Sequence, residues 1–242
     1  MKNILKFFSL RKILGKIKRE LLSRKYRKYD AKLAAHFKRE STDLFHKIAK
    51  VFNENDIVYW LEFGSLLGYY RDNDYLSNEN DFDFGVYIND ASKVRELLLS
   101  EGFELLRFYK DLTDGGIEEC YRYGDMHTTF DIYYFSEENN KLLTTGFKPI
   151  LDMGLKANLG RELPFCVRKM KFPATDFMKI EFKGELVYIP TNTKEHLAAH
   201  YGSNFMIPQN HFNNNTANNV VLYDYDERPA VGWMKYGYYD LV

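Results

Sequence analysis

At 242 residues, 45% apolar and 28% charged, the chain is long enough to fill one real core and too hydrophobic to be disordered. Its two cysteines, Cys120 and Cys166, exclude a disulfide scaffold and a cysteine-rich zinc site and suit a reducing compartment. The net charge of zero hides an asymmetry: residues 1–28 carry eleven Lys or Arg against one acid, Glu20, and the rest of the chain is acidic.

Within that basic arm Leu10, Ile13, Leu14, Ile17 and Leu21 fall on one helical face, with Arg11, Lys12, Lys16, Lys18 and Arg19 opposite. The pattern predicts a basic amphipathic helix over residues 1–30, separate from a catalytic body over 31–242. Such a helix suits an anionic membrane surface, its apolar face in the acyl boundary. The plainer alternative is a helix packed on its own domain or in a coiled coil. A continuous apolar stripe argues against a nucleic-acid arm. No apolar run reaches the roughly 18 residues of a transmembrane helix. The apolar stretch after Lys6 is cut by Arg11 and Lys12, too soon for a signal-peptide core. The expected location is therefore cytoplasmic, peripheral at the inner face of the membrane.

Residues 31–54 predict a second helix, with Leu33, Phe37, Leu44, Ile48 and Phe52 on one face. Val58 to Phe63 predicts a buried strand, broken at Gly64-Ser65, with a helix starting near Leu66. Asp81-Phe82-Asp83-Phe84-Gly85-Val86-Tyr87 alternates with the period of a strand, and Asp90 is placed to cap a helix to about Ser100. Strands follow near 103–109, 117–123 and 128–135, and Lys183-Gly184 marks a hairpin turn between 177–182 and 185–189. Thr193 is placed to cap a short helix ending at Gly202, and the Asn-rich 209–219 reads as loop. The last 20 residues show many Tyr and no pattern. Together these elements predict an α+β fold with a mixed β-sheet and flanking helices.

The strongest chemical signal is Asp81 and Asp83. Residues i and i+2 of a strand face the same way, about 7 Å apart, close enough to share a divalent cation. The competing reading is a solvent-facing sheet edge. Asp131 stands alone among apolar and β-branched neighbours on the 128–135 strand, and the three carboxylates converge if the two strands pair. Upstream, Gly64 and Ser65 follow a strand and open a helix, a place where backbone N–H groups and a hydroxyl cradle phosphate. Arg71, farther along that helix, supplies a guanidinium.

The run Tyr59-Trp60-Leu61-Glu62-Phe63-Gly64-Ser65-Leu66-Leu67-Gly68-Tyr69-Tyr70-Arg71, continued at Asp81-Phe82-Asp83-Phe84-Gly85, closely resembles the LicD family, and within it the fukutin-related branch. Ile189-Pro190-Thr191-Asn192, Leu197, Tyr201-Gly202 and Pro208 resemble a later family segment, so the likeness spans about residues 57–208. The resemblance implies a nucleotidyltransferase-like fold. It implies Mg²⁺-dependent, or Mn²⁺-dependent, transfer of a phospho-alcohol such as phosphocholine or ribitol phosphate. The donor would be CDP-linked and the acceptor a hydroxyl of a glycan or lipid-linked glycan. Carried over residue by residue, Asp81, Asp83 and Asp131 are the metal-binding and catalytic carboxylates, and Gly64, Ser65 and Arg71 hold the donor. Asp131 is either the general base or a further ligand. Two departures stand out. Glu79 stands where the family usually has an acid but Asn80 replaces one, and the cysteine cluster that binds zinc in the animal branch is absent, so no zinc is expected. Competing functions are nucleotidyl transfer to a small molecule or protein, an inactive nucleotide- or glycan-binding module, and a membrane-tethering protein.

Other residues carry less. His196 and His200 sit at i and i+4 but read H-L-A-A-H, without the Glu of a zinc-protease helix. His127 reads as a turn residue, Glu62 as either an acid behind the donor site or a buried structural one, and both cysteines as inert.

Overall fold

The structure, a computed structural model, describes the backbone of residues 2–149, 163–209 and 212–235 and the side chains of 28–148, 165–209 and 212–235. One continuous helix, α1 (Lys2–Glu54), takes the place of the two helices expected. No Gly or Pro lies between Lys16 and Glu54, so nothing in the sequence interrupts it. The apolar stripe of the first 30 residues belongs to side chains outside the described set. Among the described residues no helix is long and apolar enough to cross a membrane.

The chain continues through β1 (Tyr59–Leu61), α2 (Phe63–Asp72), β2 (Asp81–Tyr87), α3 (Ala91–Ser100), β3 (Phe103–Asp111), β4 (Ile117–Tyr123) and β5 (Thr129–Glu138). It then forms β6 (Lys141–Pro149), β7 (Leu163–Pro173), β8 (Phe177–Phe182), β9 (Glu185–Pro190), α4 (Thr193–Tyr201), β10 (Val220–Tyr223) and β11 (Ala230–Met234). The sheet is mixed: β2 runs parallel to β5 and β1 parallel to β9, while the other pairs are antiparallel. The α+β architecture with flanking helices is therefore present. In β5, β2 takes one edge, and β4 and then β6 take the other in succession. From β6 the pairing passes through β7, β11 and β3 back to β4, so six strands close into a ring.

Alternation decides which face meets what. Phe82, Phe84 and Val86 of β2 and Phe130, Ile132 and Tyr134 of β5 point into the main core. There they meet Phe37, Leu44, Phe45, Ile48 and Phe52 of α1, with Val94 and Leu98 of α3. The odd-numbered residues of the same strands, Asp81, Asp83 and Asp131, face the other way. Inside the ring a smaller core gathers Tyr109, Phe147, Phe165, Val167, Ala230 and Met234.

Two helix starts differ from expectation. Asp90 stands at the N-cap position of α3, but its side chain makes no capping bond, because Ile88–Asp90 form a 3₁₀ turn that leads into the helix. Thr193 is the first helical residue rather than the cap, and its hydroxyl donates back to the Pro190 carbonyl. Gly202 does end α4, at φ 86°.

Candidate active site

The site begins at the β1–α2 junction. Phe63 opens α2 with φ 41°, a left-handed conformation that a bulky residue adopts only when its surroundings hold it there. Its ring packs edge-on against Tyr133 at 4.7 Å and against His200 at 4.9 Å. The bend turns the Gly64 N–H onto Asp83 Oδ2 at 3.2 Å, so a carboxyl oxygen already meets the start of this helix. The carboxylate of Glu79 lies over Gly64, where any Cβ would come within 2.7 Å of Glu79 Oε2. Gly85 is required for a different reason: the Trp60 indole covers it, and a Cβ would fall 2.1 Å from that ring.

Behind the junction Glu62 is 1% exposed and fully engaged. It accepts from the Trp60 Nε1–H at 2.8 Å and the Phe63 N–H at 3.3 Å, and pairs with His196 Nε2 at 2.8 Å. His196 stacks on Phe172 at 4.2 Å. Glu62 and His196 thus join β1, α2 and α4 from beneath, outside the cavity. His200, one turn on, does line the cavity; burial lowers its pKa, and its nitrogens face Asn219 and Asn214.

A cavity of about 1060 Å³ opens above the odd-numbered face of β2 and β5. Asp83 and Asp131 are register partners in the parallel pair, and Asp81 is two residues back along β2. All three line the cavity, together with Gly64, Arg71, Glu79, Arg107, Glu118 and Arg168. Burial, then the charge of Asp131, pushes Asp81 up to about 7. Burial and the charges of Asp81, Glu79 and Asp131 push Asp83 well above the carboxylate range. Burial and Asp81 raise Glu79 to about 8, and its Oε2 is buried with no hydrogen-bond partner. Glu118 is likewise raised to about 8 by burial and by Asp131, while it accepts the Phe147 N–H at 2.9 Å. Acids that crowd together with their protons retained form a donor set short of positive charge. That is the setting in which a divalent cation is favoured, since hard oxygen ligands suit Mg²⁺ and Mn²⁺. The orphaned Glu79 oxygen fits the same need. The aspartate oxygens are engaged with other groups: Asp131 Oδ1 meets Arg107 at 3.3 Å and Asp83 Oδ2 meets Gly64. Among the described residues, three ligand atoms mutually within 4.8 Å occur at His36, Glu40 and His127, not at the aspartates.

Of the residues expected at the site, Asp81, Asp83, Asp131, Gly64 and Arg71 share this cavity. Ser65 does not line it. It is 4% exposed, and its Oγ accepts the Asp83 N–H at 3.0 Å, which fastens α2 to β2. Arg71 reaches the cavity while paired with its neighbour Asp72 at 3.1 Å. Sequence reasoning missed Glu79 as a site carboxylate, although it stands where the family places an acid. It also missed Arg107, Glu118 and Arg168, which nothing local in the sequence sets apart.

Residues 56–192 match the family model described as LicD/FKTN/FKRP, nucleotidyltransferase domain. The chain belongs to the LicD family. Among curated proteins it is similar to "Ribitol-5-phosphate transferase FKTN" of Homo sapiens, 23% identical over 175 residues, or 72% of this chain and 35% of that protein. The protein of the same name from Mus musculus is 24% identical over 172 residues, 71% of this chain and 34% of that one. The chain thus spans about a third of the length of these relatives. Among solved structures, the lincomycin-bound lincosamide antibiotic adenylyltransferase LnuA aligns with a TM-score of 0.40 and 11% identity, over 68% of this chain and 94% of that one. So distant a likeness decides nothing about this LicD chain. The family match covers β1 to β9, and so takes in both aspartate-bearing strands and the Gly64 junction.

Proposed function

We propose that this LicD protein transfers a phospho-alcohol, ribitol phosphate or a relative of it, from a CDP-linked donor to a glycan hydroxyl. The observation that supports this reading best is the pairing of Asp83 with Asp131, beside Asp81, on the cavity face of β2 and β5. Asp81 and Asp83 would hold a divalent cation, with Asp131 beside them. A cation bound there neutralises the donor diphosphate and stabilises the departing cytidine monophosphate. The chain supplies the rest. The guanidiniums of Arg71, Arg107 and Arg168 line the same cavity and orient phosphate oxygens. The acceptor oxygen bonds to the phosphorus that carries the alcohol, the bond from that phosphorus to the cytidylyl oxygen breaks, and Asp131 takes the hydroxyl proton. Phe63, Tyr133 and Tyr201 give the cavity apolar walls that thin the water around the reacting phosphate.

The location is part of the same proposal: the basic arm of residues 1–28 holds the enzyme at an anionic membrane surface where lipid-linked glycans are presented. The test is a thermal-shift titration of CDP with and without Mg²⁺, followed by incubation with CDP-ribitol and a glycan panel and assay of released CMP. CDP should stabilise the wild type only with Mg²⁺, and Asp83→Ala should lose the response. Stabilisation by nucleoside triphosphates alone, with pyrophosphate released, would instead mean nucleotidyl transfer. No response to any nucleotide would leave a binding module.

A further inference from the structure

A second group of ligand-bearing side chains lies away from the carboxylates. His36 and Glu40 are one turn apart on α1, and His127 lies in the turn between β4 and β5. The two imidazoles stack, centroids 4.1 Å apart and planes 20° from parallel. Glu40 Oε1 lies 3.3 Å from His36 Nδ1 and 3.9 Å from His127 Nδ1. Bonds of 2.0–2.1 Å to a tetrahedral ion place neighbouring ligands about 3.3 Å apart, so one of these edges already has the required length, and one imidazole must turn out of the stack for both ring planes to reach the ion.

The carboxylate is aimed from behind. Its second oxygen, Oε2, accepts the N–H groups of His127 at 2.8 Å and Thr128 at 2.9 Å, which leaves Oε1 turned to the imidazoles. Orienting bonds of this kind are what metal ligands ordinarily carry. The His36 Nδ1 lone pair is also already on a cation: the guanidinium of Arg39 lies 2.7 Å from it. Arg39 is exposed, so it can swing away into water at little cost.

We propose that His36, Glu40 and His127 form a binding site for a transition-metal dication, Zn²⁺ by preference, with water as the fourth ligand and Arg39 as its internal competitor. Two imidazoles and one carboxylate are borderline ligands that suit Zn²⁺ and Co²⁺ and select against Mg²⁺. The expectation of no zinc came from missing cysteines, and this site needs none. The bound ion would tie α1 to the turn that leads into β5, four residues before Asp131. It therefore fixes the approach of the strand that completes the carboxylate site without taking part in the chemistry.

The experiment uses the full chain, stripped of metal and held in excess Mg²⁺ so that the carboxylates are occupied. Co²⁺ is titrated in and its visible bands are followed, then Zn²⁺ is added in competition. One Co²⁺ per chain with the intense bands of a four-coordinate ion, displaced by Zn²⁺, is the expected result. His127→Ala and His36→Ala should each weaken binding by more than about 10-fold, the scale on which even an orienting partner acts. Arg39→Ala should tighten it. Because His127 sits in a turn, His36→Ala on the helix surface keeps the test decisive if the first variant folds poorly. Binding that survives both histidine variants, or that disappears in Asp83→Ala instead, would overturn the proposal.

Discussion

Two clusters of acid, one at the β3–β4 turn and one on the cavity face of β2, meet opposite surroundings. At the β3–β4 turn Asp111 is fully buried and Asp114 half-exposed, and both are met by the protein's own cations. Lys169 reaches them at 3.4 and 2.6 Å, and Arg228 binds both. Against the upward push of burial, Lys169, the Gly116 N–H and Arg228 hold Asp114 down at about 2. In the cavity Glu79, Asp81 and Asp83 crowd one another instead, and all three are pushed upward. A carboxylate that serves the fold brings its counter-charge with it. A carboxylate that serves a ligand is left short of one, and the fold bears the strain until the ligand arrives.

The sharpest way to break this contrast is to neutralise one acid in each cluster. Asp83→Asn keeps an acceptor for the Gly64 N–H but removes an acid whose ionisation burial and its neighbours oppose. Transfer should fall by about 10³-fold, while the melting temperature in EDTA holds or rises. A melt that drops sharply would place Asp83 among the structural acids.

Asp111→Ala should do the reverse. It removes the buried partner of Lys169 and Arg228, which keep only the half-exposed Asp114, and urea unfolding should show a loss of about 1–3 kcal/mol. Activity per folded molecule should stay near that of the wild type, because Asp111 and its partners lie outside the cavity.

A third test lies in the pH dependence. Glu79, raised to about 8, keeps a proton that the unfolded chain has already released above the ordinary carboxylate pKa. Its contribution is therefore fully present below about pH 4.5 and drains away as pH rises towards 8. Metal-free protein should lose melting temperature across that window, by about 2–4 °C for each kcal/mol of stability lost in a chain of this size. Glu79→Gln should flatten the slope, and Mg²⁺ should reduce it, since binding favours the deprotonated acids. An unchanged slope in Glu79→Gln would remove Glu79 from the cluster.

Much of the site was legible because its signal is local. Alternation along Asp81–Tyr87 places Phe82 and Phe84 in the core, which sets Asp81 and Asp83 on the opposite face. That Asp131 lands beside Asp83 depends on the β2–β5 register, a pairing across 48 residues that no local pattern specifies. Ser65 looks like a phosphate ligand from its neighbours alone, and only the fold shows its oxygen under the Asp83 N–H.

The strands of the ring were the least legible part. β6, β7, β10 and β11 were not expected, and β7 shows why. Phe165 and Val167 of one face pack in the ring core, while Met170 and Phe172 of the other pack against Trp60, Phe135 and Leu142. A strand buried on both faces, each over half its length, has a burial pattern that slips by one residue midway and defeats a period-of-two reading. Pro164 and Pro173 near its ends obscure it further.

That ring also sets the order in which the protein can assemble. β3 meets β11 through pairs such as Asp111 with Ala230, about 120 residues apart in the chain. The β2–β5 pair needs less than half that separation. Contacts so distant in sequence form late, because a long loop must close before any of them is rewarded. On the ribosome the carboxylate strands can therefore pair first, while β3 keeps an open edge until β11 has emerged. Only then does β11 join β3, which carries Arg107, to β7, which carries Arg168, so the two strands that bring the cations are locked together after the acids are in place.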